Sequence, residues 1–187
     1  EKATREERFD DSWDLIDPNS KKVVKTLPAK TLWVKLIQNR VETGEPYIMF
    51  KNTVEKAMPQ FQQDLGLKIH HSNLCSEITL ATDENRTAVC CLSSVNLEEY
   101  DEWKNNDLFI PDLIRMLDNV LTYFITNAPP ELYRAVYSAK RERSVGLGAM
   151  GFHAYLQRHS IPFESVIAKI RNKQMFHELK EKAYETP

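Results

Sequence analysis

The stretch from Pro111 to Asn127 does most to limit the folds open to this chain. Leu113, Ile114, Leu117, Val120, Leu121, Phe124 and Ile125 recur at three- and four-residue spacing, which is the period of one helix face. Pro111 suits the first turn, where its missing N–H costs nothing. Pro129-Pro130 ends the helix, because neither proline can continue it. A helix with so broad an apolar face needs an apolar partner layer. Short apolar runs supply candidates on both sides: Tyr47–Phe50, Ile78–Leu80, Thr87–Leu92 and Val145–Ala149 read as strands. Further helices are predicted from Thr31 to Gly44, over 131–142, from Phe152 to His159 and from Ser165 to Tyr184. A polar loop and short helix fill 51–66, and Asp83–Arg86 reads as a turn. Helices alternating with short strands point to an α/β fold in which helix dominates. Residues 1–30 are polar, broken by Pro18 and Pro28, and read as an arm with one short strand at Val23-Val24.

Composition excludes several classes of function. The 187 residues are 42% hydrophobic, enough for a core, and 28% charged. Lys plus Arg is 25 against 27 Asp plus Glu, a net charge of −2, so no strongly basic footprint for a DNA or RNA polymer exists. No apolar run reaches the roughly 18–20 residues of a membrane helix. The charged start, Glu1 to Arg8, is not a signal peptide. Three cysteines are an odd number, which disfavours a disulfide framework, and the expected setting is the cytoplasm with reduced thiols.

Four groups of residues carry possible chemistry. Gly146-Leu147-Gly148-Ala149-Met150-Gly151 matches the dinucleotide fingerprint, so a nicotinamide-dependent oxidoreductase is one alternative. The charged run Lys140–Ser144 before it is a poor Rossmann strand, and a close strand-to-helix crossing explains the glycines as well. His70, His71, Cys75, Cys90 and Cys91 lack the paired spacing of a zinc site, so no metal is expected. A Cys75 nucleophile with a neighbouring histidine as base is disfavoured, since such pairs are normally assembled across a fold. The fourth group is Ser72-Asn73-Leu74-Cys75-Ser76-Glu77-Ile78, with Cys90 downstream. In an extended segment Asn73, Cys75 and Glu77 would share one side. An amide, a thiol and a carboxylate together suit a polyhydroxylated substrate, since the amide both donates and accepts and the carboxylate takes a hydroxyl proton. A buried cysteine in a strand remains the plainer reading of that trio.

That segment closely resembles the active-site signature of the catalytic (large) subunit of class I ribonucleotide reductases. Three further runs agree in order: Thr43–Phe50 with Asn52-Thr53, Ala88–Leu97, and Arg143–Gly151. The resemblance implies part of a ten-stranded α/β barrel, incomplete in this chain. Residues 31–187 would form the partial barrel segment, with a finger loop near 70–78 carrying a radical cysteine at its tip. It implies Cys75 as the thiyl residue, Glu77 as base at the ribose 3′ hydroxyl, Asn73 and Ser72 in substrate binding, and Cys90 as one of the reducing cysteines. A barrel interior would exclude water from a radical and raise the basicity of a carboxylate.

The implied activity is radical reduction of ribonucleoside diphosphates to deoxyribonucleotides, which supports DNA replication. No cofactor would be bound by this chain. The radical would come from a di-metal small subunit, and reducing equivalents from a thioredoxin or glutaredoxin type reductant. No cysteine precedes Cys75, no Tyr-Tyr pair occurs, and Cys91 stands where many relatives have a non-thiol residue. The expectation is therefore a central piece of a catalytic subunit, a split-gene product or a fragment, inactive without the remaining segments. A non-catalytic assembly module of the same fold is the other alternative.

Overall fold

The computed structural model describes residues 11–186, so the charged residues 1–10 lie outside the described part. The chain forms two compact units, 1–50 and 51–187. In the first, β1 (Ser12–Ile16) pairs antiparallel with β2 (Val23–Pro28), with a register shift between Leu15 and Ile16. The arm thus contains a hairpin rather than one short strand. Asp17 makes its turn: the carboxylate accepts from the backbone N–H of Asn19 at 2.9 Å and of Ser20 at 2.6 Å. These bonds hold the Asp17 carboxyl below the usual range. Helix α1 (Ala29–Thr43) follows and stops at Gly44, whose φ of 81° favours a residue without a Cβ. Tyr47–Phe50, expected as a buried strand, is irregular, with Tyr47 and Phe50 exposed. No partner strand lies beside it among the described residues, and a short apolar run without one has no ladder to join.

The second unit opens with α2 (Lys51–Ala57) and α3 (Gln60–Asp64). Its centre is a two-stranded parallel sheet, β3 (Leu92–Asn96) and β4 (Gly146–Met150), in register from Leu92 opposite Gly146 to Asn96 opposite Met150. Parallel strands require a long crossover, and the intervening chain supplies it as helices. These are α4 (Tyr100–Trp103), α5 (Phe109–Asn127) and α6 (Tyr133–Glu142). Helices α7 (Phe152–Arg158) and α8 (Val166–Tyr184) follow. Ser165 caps α8, its hydroxyl accepting from the Ala168 N–H at 3.1 Å.

Two expected strands move or vanish. Ile78–Leu80 is irregular, and Thr87–Leu92 becomes a strand only from Leu92. The partner decides this: β4 begins at Gly146, opposite Leu92, and only one further bond, from the Gly146 N–H to the Cys91 carbonyl at 2.9 Å, extends the ladder backwards.

Burial concentrates on one side of the sheet. Val95, Leu97, Ile110, Tyr155, Leu156, Ala168 and Met175 form the main core, and Cys91, Leu117, Leu121 and Ala139 form a second cluster between β3, α5 and α6. The opposite faces of the long helices stay open. Met116, Val120 and Tyr123 of α5 are exposed, as are Val166, Ile167 and Ile170 of α8. Helix-rich α/β architecture with an unclosed sheet is the form of a partial barrel.

Candidate active site

The segment 70–78 folds back on itself as a tight turn. The Asn73 N–H donates to the Ile78 carbonyl at 3.1 Å, and the Asn73 side-chain oxygen accepts from the Ile78 N–H at 3.0 Å. One asparagine therefore closes both sides of the loop. Inside it, the Ser76 N–H donates to the Asn73 carbonyl at 3.2 Å, and Ser76 takes a left-handed φ of 66°. The chain between Asn73 and Ser76 is thus a β-turn, with Leu74 and Cys75 at its tip. Leu74 is 90% exposed, and Cys75 is an exposed free thiol.

This geometry corrects the extended reading of the trio. Asn73, Cys75 and Glu77 do not alternate along a strand. The turn instead brings Asn73 and Glu77 together, the Asn73 amide donating to Glu77 Oε1 at 2.6 Å. The Ser72 hydroxyl donates to the Asn73 carbonyl at 2.9 Å and lies 3.4 Å from the Ser76 hydroxyl. Amide, carboxylate and hydroxyls thus meet within the turn that carries the exposed Cys75 thiol at its tip. Glu77 is exposed rather than buried, because no strand closes over the tip among the described residues.

Cys90 lies two residues before β3 and is exposed, whereas Cys91, next to the strand, is buried. Burial pushes the Cys90 thiol up, and the Glu77 carboxylate pushes it further in the same direction. Burial raises the Cys91 thiol as well, with Cys90 and Asp118 adding to it. Among the described residues no three His, Cys, Asp or Glu side chains come together to hold a metal ion. His70 and His71 are both exposed.

The glycine fingerprint has a packing explanation, and the nicotinamide alternative loses its loop. Gly146 and Gly148 lie inside β4, not in a turn at a helix start. A Cβ on Gly146 would sit 2.5 Å from Leu92 Cδ2, and one on Gly148 would sit 3.1 Å from Ser94 Oγ. Gly151 caps α7 with a φ of 78°, and its open side faces the Asn96 side chain. That side chain already caps the turn after β3, accepting from the Glu98 N–H at 3.1 Å. Close strand approach and a left-handed cap occupy the places where a pyrophosphate would need bare amides.

Sequence reading missed the anchor beneath the site. Arg86 Nη1 lies 2.6 Å from Glu142 Oε1, both side chains nearly buried, and its guanidinium stacks 5.3 Å from the Tyr137 ring centre. The pair fastens the segment between the finger turn and β3 onto α6. No local signal reveals a contact across 56 residues; only the Asp83–Arg86 turn itself was legible. Arg143 makes a second brace across the end of α6, its guanidinium donating to Asp118 Oδ1 at 2.7 Å and to the Thr122 hydroxyl at 2.7 Å.

A family model for the ribonucleotide reductase barrel domain matches residues 1–187. The ribonucleoside-diphosphate reductase large subunit of Invertebrate iridescent virus 3 is 56% identical over 164 residues, covering 88% of this chain and 26% of the relative. That of Invertebrate iridescent virus 6 is 61% identical over 108 residues, covering 58% of this chain and 11% of the relative. Among solved structures, the Actinobacillus ureae class Id ribonucleotide reductase alpha subunit superposes with a TM-score of 0.76 at 41% identity. The match covers 82% of this chain and 30% of that one. This chain therefore spans between about a tenth and a third of the length of the large subunits it matches. With a family model matching the whole chain and large-subunit relatives at 56% and 61% identity, the chain belongs to the ribonucleotide reductase barrel-domain family.

Proposed function

We propose that this chain is the part of a ribonucleoside-diphosphate reductase catalytic subunit that carries the radical cysteine. The observation that carries the reading is the closed turn at 73–78. It holds Asn73 and Glu77 in a 2.6 Å hydrogen bond and leaves the Cys75 thiol free at the tip. A hydrogen-atom acceptor needs an unengaged sulfur, and a base needs an orienting partner.

In this reading a radical delivered from a di-metal small subunit makes Cys75 a thiyl. The thiyl takes the ribose 3′ hydrogen atom, and the S–H bond forms as the C–H bond breaks. Glu77 accepts the 3′ hydroxyl proton, and Asn73 holds Glu77 in place and hydrogen-bonds the ribose, with Ser72 alongside. The 2′ hydroxyl leaves with a proton as water. Cys90 and a second cysteine, supplied by another segment of the catalytic subunit, give two electrons and two protons, one proton leaving in the water and the other ending on C2′, and become a disulfide, while Glu77 returns its proton to the 3′ oxygen. Cys75 returns its hydrogen to C3′ and is again a thiyl. A thioredoxin or glutaredoxin type protein then reduces the disulfide. The other members of this assembly are the remaining catalytic segments, the small subunit and a ribonucleoside diphosphate. Its setting is the cytoplasm, where deoxyribonucleotides feed DNA replication. Among the described residues no helix is long and apolar enough to cross a membrane.

The sheet supports a part played within a larger barrel. Each strand of β3–β4 has a single partner among the described residues, and unpaired edges and bare apolar helix faces are surfaces that neighbouring elements cover. The test is a nucleoside diphosphate reduction assay with this chain alone, then with the other catalytic segments and a small subunit. Reduction is expected only in the full mixture. Turnover by the chain alone contradicts the need for partners, and no turnover in the full mixture contradicts the function.

A further inference from the structure

Cys91 plays no part in the reaction described above, yet it is the most constrained thiol in the molecule. It is 7% exposed and packs with Leu117, Leu121 and Ala139. Its thiol donates to the Leu117 carbonyl of α5 at 3.3 Å. Its own carbonyl accepts from the Gly146 N–H at the start of β4 at 2.9 Å. One residue therefore ties the start of β3 to a helix through its side chain and to the neighbouring strand through its backbone.

Cys91 is fixed inward, whereas its chain neighbour Cys90 is exposed. A thiol is a weak donor, but this one works in a buried apolar cluster where water does not compete. We propose that Cys91 is a positioning residue: by joining β3 to α5 and β4, it holds the Cys90 thiol on the open face and keeps its own thiol out of exchange. This rests on the reading of Cys90 as a reducing cysteine. The raised Cys90 thiol, with Glu77 as its charged neighbour, is the property this placement sets. Adjacent cysteines would otherwise present two competing sulfurs to a disulfide. Burial of one sulfur against a helix carbonyl leaves a single sulfur for the partner to reach.

The test is timed iodoacetamide alkylation of the full chain across a pH series, read by peptide mass spectrometry. In the folded protein Cys75 and Cys90 are expected to react readily and Cys91 at least about tenfold more slowly, because access requires local opening. In Cys91→Ala the Cys90 rate and its pH midpoint are expected to change, the rate by roughly threefold or more, as follows from losing one hydrogen bond. Cys75, on its separate turn, serves as the unchanged control. Cys91→Ser keeps a donor for the Leu117 carbonyl and is expected to restore the Cys90 profile. Far-UV circular dichroism reports folding, and if Cys91→Ala does not fold, wild-type protection and Cys91→Ser decide. Cys91 reacting as fast as Cys90 overturns the proposal, as does a folded Cys91→Ala with the wild-type Cys90 profile. The underlying reading is tested separately by Cys90→Ser in the assembled reductase with a thioredoxin type reductant. Retained reduction there removes the redox role of Cys90 and leaves the alkylation pattern as it was.

Discussion

The turn at 73–78 and the β3–β4 core lie in the same unit of the chain but are held by opposite means. The turn at 73–78 rests on polar groups close in sequence: Asn73 takes part in five hydrogen bonds, with Ser72, Ser76, Glu77 and Ile78. The core rests on apolar burial between residues far apart, such as Val95 with Ile110, Leu156 and Met175. Local polar closure fixes a shape cheaply and leaves the tip bare for chemistry. Distant apolar packing fixes where that shape stands. Together they hold the exposed Cys75 thiol at a fixed place, and the Arg86–Glu142 pair is one link between them.

Damage to the core is expected to cost the most stability. Leu156 is fully buried beside Val95 and Met175, so Leu156→Ala is expected to lose about 2–5 kcal/mol through transfer and cavity terms, read as a lowered urea midpoint. The comparison breaks if this change lowers turnover in the assembled enzyme without lowering the midpoint. The reverse pattern belongs to the turn. Asn73→Ala removes the bonds to Glu77 and Ile78, and about tenfold or more of reductase turnover is expected to go with them, since an unoriented base is a poor one. Its stability cost is expected to stay near about 1 kcal/mol, the usual net worth of such bonds. A large stability loss with unchanged turnover would reverse the assignment.

Much of the helical layer was legible because its signals are local. The stripe on α5, Gly44 at the end of α1 and Ser165 before α8 each announce an element by period or cap. The cap gives a further, smaller prediction: Ser165→Ala is expected to cost about 1 kcal/mol, measured by thermal or urea unfolding. Strands were less legible. Thr87–Leu92 and Tyr47–Phe50 have strand composition, but a strand exists only where a partner offers a register, and the partner of Leu92 lies 54 residues on at Gly146. The 72–78 segment stood out by its residues, yet its geometry was not legible. Period-two spacing suggested a shared face, whereas the closing bonds of Asn73 bend the chain into a turn.

The smallest expected effect probes the place where turn and strand meet. The Cys90 thiol is raised by burial and then by the Glu77 carboxylate, so neutralising that charge acts against only the second cause. Glu77→Gln is expected to lower the Cys90 midpoint in a pH series of alkylation, leaving part of the elevation in place. An unchanged midpoint would separate the two regions electrostatically and weaken the link between loop and strand.

The central claim is that the exposed thiol of the turn performs the radical step. Its most direct test is turnover of Cys75→Ser in the assembled reductase, with substrate binding measured in parallel. Cys75 is exposed and its thiol is not engaged in the bonds that close the turn, so folding and binding should survive the change. The account predicts binding at wild-type strength with no deoxyribonucleotide formed. Deoxyribonucleotide formed at a substantial rate by Cys75→Ser would contradict it.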